Sequence, residues 1–211
     1  SRRQRQMCIR DSIYTKNNQD DLAAEAFHTS ITLDSSDHRP LFNLSVHYLK
    51  LGIYDKGFKL YDNRLLCKNI SDNLPTLSDL PLWDGNSTCS HLLVSWEQGI
   101  GDTLQFFRFV IELKKRKPAM HITYLVKSNL LPLFNLSILD IQITDKIDSS
   151  SFDYKIYVMS IPHILQIKTL HHIQSIPNIN FISSNTSVFS FWKNKLMSIP
   201  KPRIAIFYRG N

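Results

Sequence analysis

The sequence predicts two units in series: a helical segment over residues 13–67 and an α/β domain with a parallel sheet over 91–202, joined by a polar linker at 68–90. Three observations predict this. Residues 91–117 read as a buried strand, a polar glycine turn and an amphipathic helix, the opening unit of a nucleotide-type α/β domain. Strand-like apolar runs then recur between helical ones, which argues for a parallel sheet. Ahead of residue 91 the apolar spacing is helical and contains an internal shift.

The chain has 211 residues, 43% of them hydrophobic, enough for one large core or two small ones. No apolar run reaches the roughly 18 residues needed to span a bilayer, and no signal peptide is visible, so a soluble cytoplasmic protein is expected. The three cysteines, Cys8, Cys67 and Cys89, lack paired metal-ligand spacing and read as free thiols. Met7-Cys8-Ile9-Arg10-Asp11-Ser12 is also the translation of a transposon end used in sequencing libraries. Residues 1–12 are therefore expected to be an assembly artefact. They hold four arginines and one aspartate, +3 of the formal +7, so no basic arm for nucleic acid is expected.

In the helical unit, Ala23, Ala24, Ala26, Phe27 and Ile31 share a face that ends at Leu33-Asp34-Ser35-Ser36. A second helix from about Pro40 carries Leu41, Leu44, Tyr48 and Leu51 and stops at Gly52. A third carries Tyr54, Gly57, Phe58, Tyr61 and Leu65. A shift of 34 residues lays Ala23 on Gly57 and Phe27 on Tyr61, a small and a large knob on each helix. Pro75, Pro81 and Gly85 mark the linker, and Leu82-Trp83-Asp84-Gly85 reads as a turn.

The α/β domain opens with the strand His91–Trp96, the turn Glu97–Gly101, and a helix bearing Leu104, Phe107 and Ile111 on one face. Asp102 or Thr103 is the expected cap. Lys114–Lys117 end the helix and Pro118 stops it. Further strands are expected at His121–Val126, Leu139–Ile143 and Tyr154–Met159, with a short apolar helix around Leu130–Phe134 and a loop at 144–153. Ser160-Ile161-Pro162-His163 reads as a turn into a helix at Ile164–Ile167, and Asn185-Thr186 begins a last helix. Arg203–Tyr208 reads as the first strand of a second α/β unit, expected to continue beyond Asn211.

Three readings of the glycine turn compete. The dinucleotide fingerprint is half met, since Gly99 and Gly101 fit but Leu104 stands in the third place. No acid follows roughly 20 residues on to hold a ribose. A P-loop fails for want of G-K-[ST]. The third reading is an acid, Asp102, presented at a helix start, where it either caps the helix or works in a cleft. Gln98 and Gln105 are candidates for sugar hydroxyls, and Glu97 either orients Asp102 or faces water. His163 is a candidate for lining the cleft or a structural histidine, and His171-His172 read as surface. Lys114–Lys117 read as a solvated helix end with the option of peripheral contact with anionic lipid headgroups.

Asn43-Leu44, Tyr48, Gly52, Tyr54, Gly57 and Tyr61 resemble the signature of the tetratricopeptide (TPR) repeat, and Leu33-Asp34-Ser35 stands where Leu-Asp-Pro usually closes a unit. One unit and part of another are visible. They read as a groove for a protein partner or an acceptor, or as a packing extension of the α/β domain, which so few repeats favour.

Glu97-Gln98-Gly99-Ile100-Gly101-Asp102-Thr103-Leu104-Gln105-Phe106, with Leu82-Trp83-Asp84-Gly85 before it and Ser160-Ile161-Pro162 and Tyr208-x-Gly210-Asn211 after it, is similar to a bacterial family of TPR proteins. The carboxyl part of that family resembles the lipopolysaccharide heptosyltransferases, glycosyltransferase family nine. Tyr208 and Arg209 depart from the family's usual tryptophan and small residue. The resemblance implies the N-terminal half of a GT-B fold, two facing Rossmann-like domains of which this one holds the acceptor. The donor domain, which would hold a nucleotide-sugar, begins at 203 and is almost absent. Asp102 matches the general base of an inverting, metal-independent transfer that needs no cofactor. Gln98, Gly99, Gly101, Gln105 and His163 would contact substrate, and on resemblance alone Asn211 would approach the donor. The expected acceptor is a glycan, lipid-linked or protein group, on a cytoplasmic enzyme associated with the inner membrane. The competing expectation is a non-catalytic TPR scaffold with a degenerate α/β domain.

Overall fold

A computed structural model describes residues 19–77, 79–134, 140–148, 151–176 and 186–197. The suspected artefact at 1–12, the strand expected at 203–208, and Asn211 lie outside them. The helical unit comprises α1 (Asp20–Leu33), α2 (Arg39–Lys50) and α3 (Tyr54–Tyr61), then a 3-10 turn Asp62–Leu66 and a short α4 (Lys68–Ser71). The α/β part comprises β1 (His91–Ser95), α5 (Ile100–Arg116), β2 (His121–Leu125), β3 (Ile141–Thr144) and β4 (Tyr154–Tyr157). α6 (Ile161–Ile164), α7 (Leu170–Ser175) and α8 (Thr186–Met197) follow.

Ala23, Phe27 and Leu44 form a small core between α1 and α2. Gly52 ends α2 in the left-handed region at φ +75°, where a side chain would be strained. The chain then turns back so that α3 lies against α2, and Gly57 makes the approach close. A methyl at Gly57 would sit 2.6 Å from Leu49 Cδ2 and 3.1 Å from the Leu49 backbone nitrogen. Helix propensity favours alanine by about 1 kcal/mol, whereas overpacking costs roughly 1–3 kcal/mol. Gly57→Ala is therefore expected to lose about 1 kcal/mol net in chemical denaturation. A gain would show that the two helices separate without penalty.

The four strands form one sheet in the order β3-β2-β1-β4, with every pairing parallel. Both faces of such a sheet must be covered. Leu92, Val94, Ile122, Tyr124 and Ile156 join the core formed with Phe107, Val110, Ile111 and Leu113 of α5. Phe58, Tyr61 and Trp83 enter the same cluster, so α3 is part of the core of the sheet domain. Leu93, Leu125 and Tyr157 form a second cluster, packed by Leu65, Leu74, Leu77 and Leu80.

That second cluster corrects the expected linker. The segment after residue 65 is a layer of the domain, because without it Leu93, Leu125 and Tyr157 would meet water. Leu82 makes a parallel bridge to Lys155 and extends the sheet beyond β4. Trp83 is buried and its indole N–H donates to the Ser87 carbonyl at 3.0 Å. Gly85, at φ +85°, brings its backbone against Ile164, where a Cβ would sit 2.8 Å from Cγ2.

Other boundaries move by a few residues. The helix expected at Ile164–Ile167 is observed at Ile161–Ile164, because Pro162 in the first turn has no N–H to lose and starts it. The expected helix around Leu130 is a single 3-10 turn, Leu131–Leu133. His171 and His172 are exposed on α7, as expected for surface residues. No helix among the described residues is long and apolar enough to cross a membrane.

Candidate functional site

Strand order reverses at β1, since β2 and β3 are added on one side and β4 on the other. Crevices that hold ligands in open parallel sheets form at the carboxyl edge of such a reversal. Here that edge is Trp96–Gly99 after β1 and Val158–Ser160 after β4.

The turn after β1 is tighter than its glycines imply. α5 begins at Ile100, and its N-cap is Gly99 rather than Asp102 or Thr103. Gly99 has extended backbone (φ −89°, ψ 174°), and the left-handed residue is Gln98 at φ +49°. Strain at this turn falls on a glutamine, and Gly101 is already inside the helix. Asp102 occupies the third helical position and reaches back, its Oδ2 accepting the Gly99 N–H at 3.1 Å. That commits the Gly99 N–H, which is therefore not free for a ligand, contrary to expectation. Gly101 stays exposed, with open space where a Cβ would lie.

Several contacts brace this turn. Thr103 Oγ1 donates to the Gly99 carbonyl at 3.0 Å, and the buried Tyr124 hydroxyl donates to the Thr103 carbonyl at 3.0 Å. Lys127 Nζ donates to the Gln98 carbonyl at 3.1 Å, and Gln98 Nε2 to the Tyr61 hydroxyl at 3.3 Å. Burial pushes the Tyr61 phenol up, partly offset by Arg64, and the charges of Glu97 and Asp102 add to the rise.

Glu97 was expected to orient Asp102 or face water and does neither. It is fully buried, and both oxygens engage Arg64, Oε2 with Nε at 2.8 Å and Oε1 with Nη2 at 2.7 Å. Oε1 also accepts the Met159 N–H at 2.9 Å, tying the end of β1 to the end of β4. Arg64, equally buried, spends its remaining donors on Asp62 Oδ1 at 2.8 Å, the Tyr61 carbonyl at 3.2 Å and Ser160 Oγ at 2.9 Å. All five guanidinium N–H groups are thereby used. Burial alone would push this guanidinium down, but Glu97 and Asp62 outweigh it and hold it charged. Sequence reasoning missed Arg64, since no local pattern links a helix-end arginine to a turn glutamate 33 positions away.

The remaining candidates separate. Gln98 lines a cleft of about 510 Å³ with Phe42, Asn69, Asn73, Trp96 and Lys127 among its walls. His163 lines a different one of about 480 Å³, between α3, Asp84–Asn86 and residues 164–168. The two clefts share no lining residue, so His163 and Gln98 do not serve one ligand there. Gln105 is exposed on α5. Of the basic helix end, Lys114 bonds Asp140 at 2.8 Å and Arg116 bonds Glu112 and the Leu165 carbonyl, each at 2.9 Å. Lys115 and Lys117 remain exposed.

Cys67 and Cys89 are free thiols. Burial raises both, and with the nearby Asp153 charge Cys89 is pushed up to about 11. Since the thiolate is the nucleophile, Cys89 is expected to alkylate at least tenfold more slowly than free cysteine at pH 8, read by peptide mass mapping after iodoacetamide. Labelling at the free-thiol rate would contradict its burial.

No family model, characterised protein or solved structure gives a match to this chain.

Proposed function

We propose that this chain is the acceptor-side, Rossmann-like half of an inverting glycosyltransferase of GT-B type, with Asp102 as general base and a nucleotide-sugar as donor. Its helical unit is read as a TPR-like extension packed on that half. The observation that carries the proposal is the setting of Asp102. Its carboxylate is half-buried at the carboxyl edge of the strand reversal, with Oδ2 held by the Gly99 N–H. Oδ1 has no hydrogen-bond partner among the described residues. An inverting transfer needs such a base within hydrogen-bond reach of the acceptor hydroxyl as it attacks the anomeric carbon. The proton passes from the hydroxyl to Oδ1 while the sugar–phosphate bond breaks and the nucleoside diphosphate leaves. The exposed start of α5 at Ile100 and Gly101 offers positive helix-end potential to the negative charge that develops on the attacking acceptor oxygen.

The donor would be held by residues beyond the described ones, so the test uses the full-length protein. Nucleoside diphosphate release from a panel of nucleotide-sugars is measured with glycan acceptors, for the natural protein and for Asp102→Asn. Turnover that collapses in the variant supports the reading, and turnover that survives removes Asp102 from the chemistry. No release with any donor favours the non-catalytic scaffold. The packing of Phe58 and Tyr61 of α3, and of Leu65, Leu74, Leu77 and Leu80, against the sheet argues against that scaffold, because those side chains are not free for a partner.

A further inference from the structure

The cleft beside Gln98 has a composition that the catalytic reading does not use. It lies where the helical unit meets the carboxyl ends of β1 and β2, with Asn69 and Asn73 on one side and Trp96, Gln98 and Lys127 on the other. Among the described residues, no acidic side chain lines it. Lys127 Nζ lies 4.3 Å from the centroid of the Trp96 ring and donates to the Gln98 carbonyl, with no carboxylate partner among the described residues. A positive charge that no acid among the described residues neutralises therefore stands in a half-buried cleft beside an indole and three carboxamides. Gln98, held at φ +49°, is the strained element of its wall, and strain of this kind collects where a site is built.

We propose that this cleft binds a saccharide carrying one negative group, a phosphate or a carboxylate. The indole offers an apolar surface to the carbon-bound hydrogens of a sugar ring, and amide side chains both donate to and accept from hydroxyls. Lys127 takes the anionic group by a charge-assisted hydrogen bond. Neutral sugars lack that partner, and a free anion lacks the ring contact. Gln98 connects the cleft to Asp102, since it directly precedes the Gly99 whose N–H the carboxylate holds. Naming the occupant as the acceptor rests on the glycosyl-transfer reading above, whereas the binding itself does not.

The experiment is a calorimetric titration of the full chain with glucose 6-phosphate, glucuronate, glucose and inorganic phosphate. At least one of the two anionic sugars is expected to bind roughly tenfold or more tightly than glucose and than phosphate. Lys127→Met should weaken that binding by roughly ten- to hundredfold and abolish the preference over glucose. Asn69→Asp, an exposed change that places an acid in the cleft, should do the same without removing Lys127. Thermal melts of both variants within a few degrees of the natural protein establish that they fold. The proposal is overturned if neither anionic sugar is preferred, or if a folded Lys127→Met and a folded Asn69→Asp both keep the preference. Because no turnover is read, loss of the Asp102 mechanism would leave these outcomes unchanged. Failure here with intact transfer would in turn sink only the cleft.

Discussion

Arg64→Ala is expected to destabilise the protein by about 3–5 kcal/mol, the cost of leaving a buried charge without its partner. For a chain of this size that is a fall of roughly 6–20 °C in Tm. Glu97 is fully buried and would keep only the Met159 N–H of its present partners. Water cannot replace a guanidinium there without opening the junction between β1, β4 and the 3-10 turn. Removing both charges should act differently. Arg64→Met combined with Glu97→Met replaces the ion pair by apolar volume, a change that is often neutral elsewhere. The double variant is expected to recover most of the loss, with Asp62 turning outward from its half-buried position. Equilibrium denaturation of both single variants and the double variant closes the cycle. Additive losses would mean that Arg64 and Glu97 do not depend on one another.

Asp102→Asn should lower turnover of the full-length protein by roughly 10²–10⁴-fold, the usual contribution of a positioned general base. That corresponds to about 3–5 kcal/mol in the barrier. The fold should survive, since an asparagine oxygen can still accept the Gly99 N–H. What is lost is the charge at the helix start, worth roughly 0.3–1 kcal/mol. Discrimination therefore rests on the split between a large loss of kcat and a small loss of stability. A variant that unfolds as it loses activity would assign Asp102 to the helix cap alone.

These two residues mark how far the sequence could be read. Asp102 was legible because strand, turn and helix are local patterns and an acid near a helix start stands out within a few residues. A capping role for Asp102 was legible as one of two options, but as the cap residue itself, whereas the structure has it reach back from the third helical position to Gly99. Gly99 was expected to face substrate, whereas its N–H is held by Asp102, and the left-handed residue of the turn is Gln98. Glu97 was misread as well. A polar residue between an apolar strand and a helix has the pattern of a solvated turn, and only its partner shows that it is buried.

By itself, the sequence determined the alternation of helix and strand, the parallel sheet, the close approach at Gly57 and the position of Asp102. All four are encoded by spacing within a few turns or one strand. The tertiary structure decided which residues cover the second face of the sheet, who neutralises Glu97, and that Trp96, Lys127 and Asn69 share a cleft. Those outcomes depend on where separate elements meet. Burial then selects among polar pairings that look equally plausible along the chain, because an unpaired charge is tolerated in water and not inside the fold.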